Sequence, residues 1–131
     1  MRKRTYLDYL NDILQSIDDV GTFIKGMSFK DFLHDKKTIN AVVRSIEIVG
    51  EAANHIPKVM RDKTPDVPWR EIVGMRNKIV HEYFGVDNEI VWKTAKHYLP
   101  KLKSQLATLV KQGHFDKWTG RDNGFSDLRG E

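Results

Sequence analysis

An all-α fold, an up-and-down bundle of four to five helices, is what the sequence predicts. Apolar residues recur at spacings of three and four along long stretches. No stretch alternates with the period of two that a half-buried strand requires. Gly26, the two-proline segment 61–68 and Gly85 separate the periodic stretches.

The first helix is expected over residues 4–25. Tyr6, Leu10, Ile13, Leu14, Ile17, Val20 and Ile24 form its buried face, and Gly26 is the stop. Ser28 is placed to cap a short helical turn with Asp31 in its first turn. A long helix is expected over 35–56, with Ile39, Val42, Val43, Ile46, Val49, Ala53 and Ile56 inward. Its segment Gly50-Glu51-Ala52-Ala53 is small enough for a close helix crossing. Arg44, Glu47 and Glu51 line up at spacings of three and four, which reads most simply as an ion-paired helix face.

Residues 61–68 hold two prolines three apart and are expected to loop, with Pro68 leading into the next helix. That helix is expected to run from Trp69 to Phe84 and to end at Gly85. Wound at about 100° per residue, it puts Trp69, Val73, Val80 and Phe84 on one stripe. Arg76 falls within that stripe, where a guanidinium is costly unless paired or used. Asn77 and His81, four apart, share a flank, and Gly74 beside it admits a close approach. Asp87 or Asn88 should cap a last helix over 88–111, with Trp92, Ala95, Leu99, Leu102, Leu106 and Leu109 inward. Pro100 should kink it near 96–100. The organisation expected is one helical domain over 1–112, followed by a loosely ordered, glycine-rich tail over 113–131.

Composition narrows the function classes. The 131 residues carry a net charge of +4 and no cysteine. Disulfides and thiolate metal sites are excluded, and a reducing, cytoplasmic setting and a polyanionic partner are compatible. No run approaches the roughly 18 apolar residues of a membrane span. His34, His55, His97 and His114 sit at no metal-ligand spacing, so neither a metal nor another cofactor is expected.

Arg76 and His81 carry the chemistry. An imidazole can move a proton near neutral pH, and a guanidinium can hold two phosphate oxygens and the charge that develops on them. With Asn77 orienting the ring or the ligand, that is enough for metal-independent cleavage of RNA by attack of the 2′-OH on the adjacent phosphate. An arginine and a histidine five apart also occur on many helices in purely structural roles.

RNKIVHEY, residues 76–83, resembles the R-N-x-x-x-H-x-Y pattern of HEPN-domain ribonucleases, specifically the HepT toxin family. The likeness extends to residues 41–52, to Pro68-Trp69, and to Tyr83-Phe84-Gly85-Val86-Asp87 with Val91-Trp92, covering roughly 5–110. The resemblance implies a HEPN-like fold and a homodimer whose two motif helices face one cleft. It implies that Arg76 and His81 are catalytic, with Asn77 assisting. It also implies a toxin–antitoxin pair of type VII kind, in which an MntA-like nucleotidyltransferase silences the ribonuclease by AMPylating Tyr83, adding bulk and negative charge beside the phosphate site. Lys78, Arg44 and Glu51 are candidates for touching the RNA, for which a tRNA end is one conceivable shape. The alternative is a non-catalytic helical module that binds a nucleotide or substrate for a nucleotidyltransferase.

Overall fold

The computed structural model of the chain describes residues 4–81 and 85–111. Its elements are α1 (Tyr6–Phe23), α2 (Phe29–Leu33), α3 (Lys36–Asn54), α4 (Lys58–Asp62), α5 (Trp69–Val73) and α6 (Met75–Ile79). A two-strand ribbon follows, β1 (Val80–His81) with β2 (Gly85–Val86), then α7 (Asn88–Lys93), a π-helical turn (Thr94–Tyr98) and α8 (Leu99–Lys111). The fold is all-α and HEPN-like.

Helices α1 and α3 form the centre, joined face to face through the stripes their periodicity defines. Tyr6, Leu10, Ile13, Ile17 and Val20 meet Ile39, Val42, Ile46 and Val49, all buried, while Leu14 is only half-buried. Side chains on the preceding residues define the helix starts. Thr5 and Asp8 make a reciprocal capping box on α1, Ser28 and Asp31 another on α2, and Asp35 receives the Thr38 N–H at 3.0 Å at the head of α3. These bonds hold the Asp35 carboxyl below its ordinary value of 3.8, the backbone N–H of Thr38 contributing most. Phe29 and Phe32 close one end by packing on Trp92, ring centroids 6.0 and 5.1 Å away.

The loop after α4 is held from within. Thr64 is buried, donates its hydroxyl to the Met60 carbonyl at 3.0 Å, and accepts the Trp69 indole N–H at 2.8 Å. Where α3 crosses α5, Gly50 brings the backbones together: a Cβ there would lie 3.4 Å from the Ile72 carbonyl oxygen and 3.5 Å from that of Val73. The disturbance expected from Pro100 is a π-helical turn just ahead of it. The Leu99 N–H reaches back five residues to the Thr94 carbonyl, because the proline has no N–H and its ring crowds the preceding turn.

The expected single helix from Trp69 to Phe84 is corrected. It breaks at Gly74, where the Gly74 N–H bonds Arg70 four residues back but the Asn77 N–H bonds Gly74 only three back. It ends at Ile79, after which Val80 pairs with Val86 and His81 with Gly85. Gly85, expected as the helix stop, instead opens β2 with φ of 79°. The Asp87 N–H closes the ribbon on the Ile79 carbonyl at 2.8 Å. Two-residue strands are too short to show alternation, so periodicity could not reveal them. The proposed tail, residues 113–131, lies outside the described residues.

Candidate active site

Breaking the helix at Gly74 re-aims the residues after it. Trp69, Ile72 and Ile79 are buried and Val73 is half-buried, but Arg76 is not on the buried stripe. Its side chain is 51% exposed and lies along α3, where its Nε donates to Glu47 Oε2 at 3.2 Å. The guanidinium expected within the apolar stripe is therefore a paired, half-exposed one off that stripe. Because the bond uses Nε, the two terminal amino groups are not consumed by it, and these suit a bidentate grip on phosphate oxygens.

Glu47 escaped the sequence reading as a site residue. It stood in the line Arg44-Glu47-Glu51, but only the crossing of α3 and α6 shows that this line faces the motif. The other two members pair with each other, Arg44 Nη1 lying 3.7 Å from Glu51 Oε1, and both are 62% exposed. This face of α3 thus presents two ion pairs, one of which belongs to the motif arginine.

Asn77 and Lys78 are exposed on α6. His81 is in β1, so the reading that set it on one helix with Arg76, sharing a flank with Asn77, does not hold. The chain leaves the helix two residues before His81, and the ribbon with Gly85 fixes the His81 backbone. Tyr83, expected on the same helix as Arg76, lies outside the described residues. Arg76, Asn77 and Lys78 are together on five residues of helix, and that helix runs without a gap into the strand that carries His81.

Lys78 points away from α3. With Met75 and Ile79 it borders a cavity of about 440 Å³ between α5–α6 and the π-helical turn with α8. Among the described residues no group of His, Asp or Glu is arranged to hold a metal ion, and no helix is long and apolar enough to cross a membrane.

Comparison with known proteins converges on one family. A family profile described as "Ribonuclease HepT-like" matches residues 13–109. A probable ribonuclease HepT of Thermococcus cleftensis is 46% identical over 109 residues, 83% of this chain and 99% of that protein. A protein of Methanocaldococcus jannaschii named as a candidate RNase is 43% identical over 85% of this chain and 92% of its own. Another so named, from Caldanaerobacter subterraneus subsp. tengcongensis, is 43% identical over 83% and 97%. No solved structure matches. With the profile spanning most of the bundle and such identities running nearly end to end, the chain belongs to the HepT-like ribonuclease family.

Proposed function

We propose that this chain is a metal-independent endoribonuclease in which Arg76 and His81 act on one phosphodiester of RNA. The observation that carries the reading is Arg76 itself: a half-exposed guanidinium, tethered by Nε to Glu47, on the helix that feeds the His81 strand. The 2′-OH attacks the adjacent phosphorus and the bond to the 5′-oxygen breaks. The products are a 2′,3′-cyclic phosphate and a 5′-OH end. Arg76 holds the non-bridging oxygens as charge gathers on them, and the His81 imidazole moves a proton. Proton removal from the 2′-OH and proton delivery to the leaving oxygen need two groups. A homodimer with both motif segments on one groove supplies two imidazoles. Asn77 and Lys78 within the motif, and Arg44 and Glu51 on the helix that carries Glu47, serve as positioning or RNA-contacting residues.

Tyr83 completes the motif, and its AMPylation by an MntA-like nucleotidyltransferase antitoxin is the proposed means of silencing. Intact mass of the chain co-produced with such a partner should rise in steps of one AMP, with the mark mapping to Tyr83. An unchanged mass would remove this part of the proposal.

RNA incubated in EDTA with the parent, Arg76→Ala and His81→Ala proteins is the direct test. The parent is expected to leave cyclic phosphate ends, and each variant to be slower by about a hundredfold or more. Equal cleavage by all three would refute the assignment. Nucleotide binding with no turnover by the parent would instead favour a non-catalytic binding module.

A further inference from the structure

The cavity beside α6 is not explained by cleavage at Arg76 and His81, and its walls have a distinct character. Its floor is apolar, with Ile72, Ile79 and Leu102 buried and Met75 half-buried. Tyr98 stands at its edge, 56% exposed, an aromatic ring left in water by the folded chain. Four charged groups border it: the ammonium groups of Lys78 and Lys101, from the opposite elements α6 and α8, and the carboxylates of Asp66 and Glu71. At one end Gln105 Nε2 donates to the Asp66 carbonyl at 2.8 Å, tying the proline loop to α8 and fixing that wall. About 440 Å³ falls within the roughly 300–1,000 Å³ of pockets that take small ligands.

An apolar floor, an exposed aromatic ring, two lysines to meet phosphates and two carboxylates to accept from exocyclic amines suit an unpaired nucleobase with its flanking phosphates. Bases stack on aromatic rings whatever their sequence, and lysines hold the backbone beside them. Residue Tyr98 closes the π-helical turn, and Thr94 at its start also lines the cavity, so this irregular turn forms the wall. Lys78 lies two residues after Arg76, about 200° further round the same helix. A strand gripped by Arg76 on one side of α6 can therefore lay a neighbouring nucleotide into the cavity on the other.

We propose that this cavity is a base-binding subsite for single-stranded RNA, in which one unpaired base next to the cleaved bond stacks on Tyr98 while Lys78 and Lys101 hold its phosphates. The proposal rests on the ribonuclease reading for its ligand, but its test does not need cleavage. A short 2′-O-methyl oligoribonucleotide, which lacks the attacking hydroxyl, is scanned with an abasic residue at each position in turn. Affinity is read by fluorescence anisotropy for the parent, Tyr98→Ala and Lys101→Ala. Both replaced side chains are exposed, and thermal melts check that the variants remain folded. At one position, removing the base is expected to weaken parent binding by at least about fivefold. Tyr98→Ala should weaken the intact oligonucleotide by a similar factor, and the two losses together should not exceed either alone. Lys101→Ala should weaken every oligonucleotide alike and lower the salt dependence. Parent-like binding by Tyr98→Ala, or independent losses from Tyr98→Ala and every abasic position, would overturn the subsite. Base-dependent binding without cleavage by the parent would keep the subsite and sink the nuclease. Cleavage with a Tyr98-independent affinity would do the reverse.

Discussion

At the scale of single residues, the proposed site turns on the ion pair of Arg76 with Glu47. The pair is half-exposed and spans two helices, so its contribution to stability is modest, on the order of 0.2–1 kcal/mol. In the proposed reaction its effect would lie in aiming: Nε bonded to Glu47 orients the guanidinium and leaves its terminal amino groups for the phosphate. Glu47→Gln keeps an acceptor but removes the charge. Its kcat/KM for RNA is expected to fall about two- to fivefold, through KM, while the melting temperature barely moves. A loss as large as that of Arg76→Ala would mean that Glu47 does chemistry rather than positioning. Asp35 is a second residue whose environment makes a prediction. Its carboxyl titrates below the ordinary value of 3.8, because the charged form receives the Thr38 N–H and hydroxyl. A depressed folded value means that its stabilisation is present above the unfolded value and disappears as pH falls through the folded one. Asp35→Asn retains a capping oxygen but cannot titrate, so its melting temperature should depend less on pH below about 4 than the parent's. Identical pH profiles would show that the cap carries no linkage.

At the scale of elements, the decisive feature is that the motif segment is a broken helix followed by a ribbon. Gly85 has φ of 79° with open space where a Cβ would go, so a side chain there meets backbone strain rather than a clash. Gly85→Ala is expected to cost about 1–2 kcal/mol, confined to the ribbon, and to reduce cleavage by loosening the His81 strand. Hydrogen exchange at Asp87, whose N–H closes the ribbon, should quicken while exchange in α1 and α3 does not. Unchanged exchange at Asp87 would count against a strained ribbon. Gly50 behaves differently, since its neighbours are the Ile72 and Val73 carbonyls at 3.4 and 3.5 Å. An alanine methyl fits at ordinary contact and removes a flexible residue from mid-helix, so Gly50→Ala should be neutral or stabilise by up to about 1 kcal/mol. Gly50→Val drives further atoms into those carbonyls and is expected to cost about 1–3 kcal/mol, read as a lowered denaturant midpoint. Equal midpoints for the two variants would show that α3 and α5 can part freely.

Over the whole molecule the net charge of +4 acts on encounter with RNA rather than on the fold. Affinity for a single strand should drop about ten- to fiftyfold between 50 and 200 mM salt if a few phosphates are held. A flat response would argue against a polyanion as ligand. Sedimentation at micromolar concentration should give twice the chain mass if two protomers build one groove. Residue order alone determined the helical class, the α1 and α3 stripes, the caps at Ser28 and Asp87, and the disturbance ahead of Pro100. Each depends on contacts within a few residues, which periodicity and capping chemistry report directly. The motif residues could be picked out, but not their arrangement. The direction of Arg76 depends on the turn at Gly74 and on a carboxylate 29 positions earlier in the chain. The strand at His81 exists because Val80 found Val86, a pairing too short to leave a period. Tertiary packing decided these, since Glu47, the ribbon and the cavity walls come together only when α3, α6 and α8 are laid side by side.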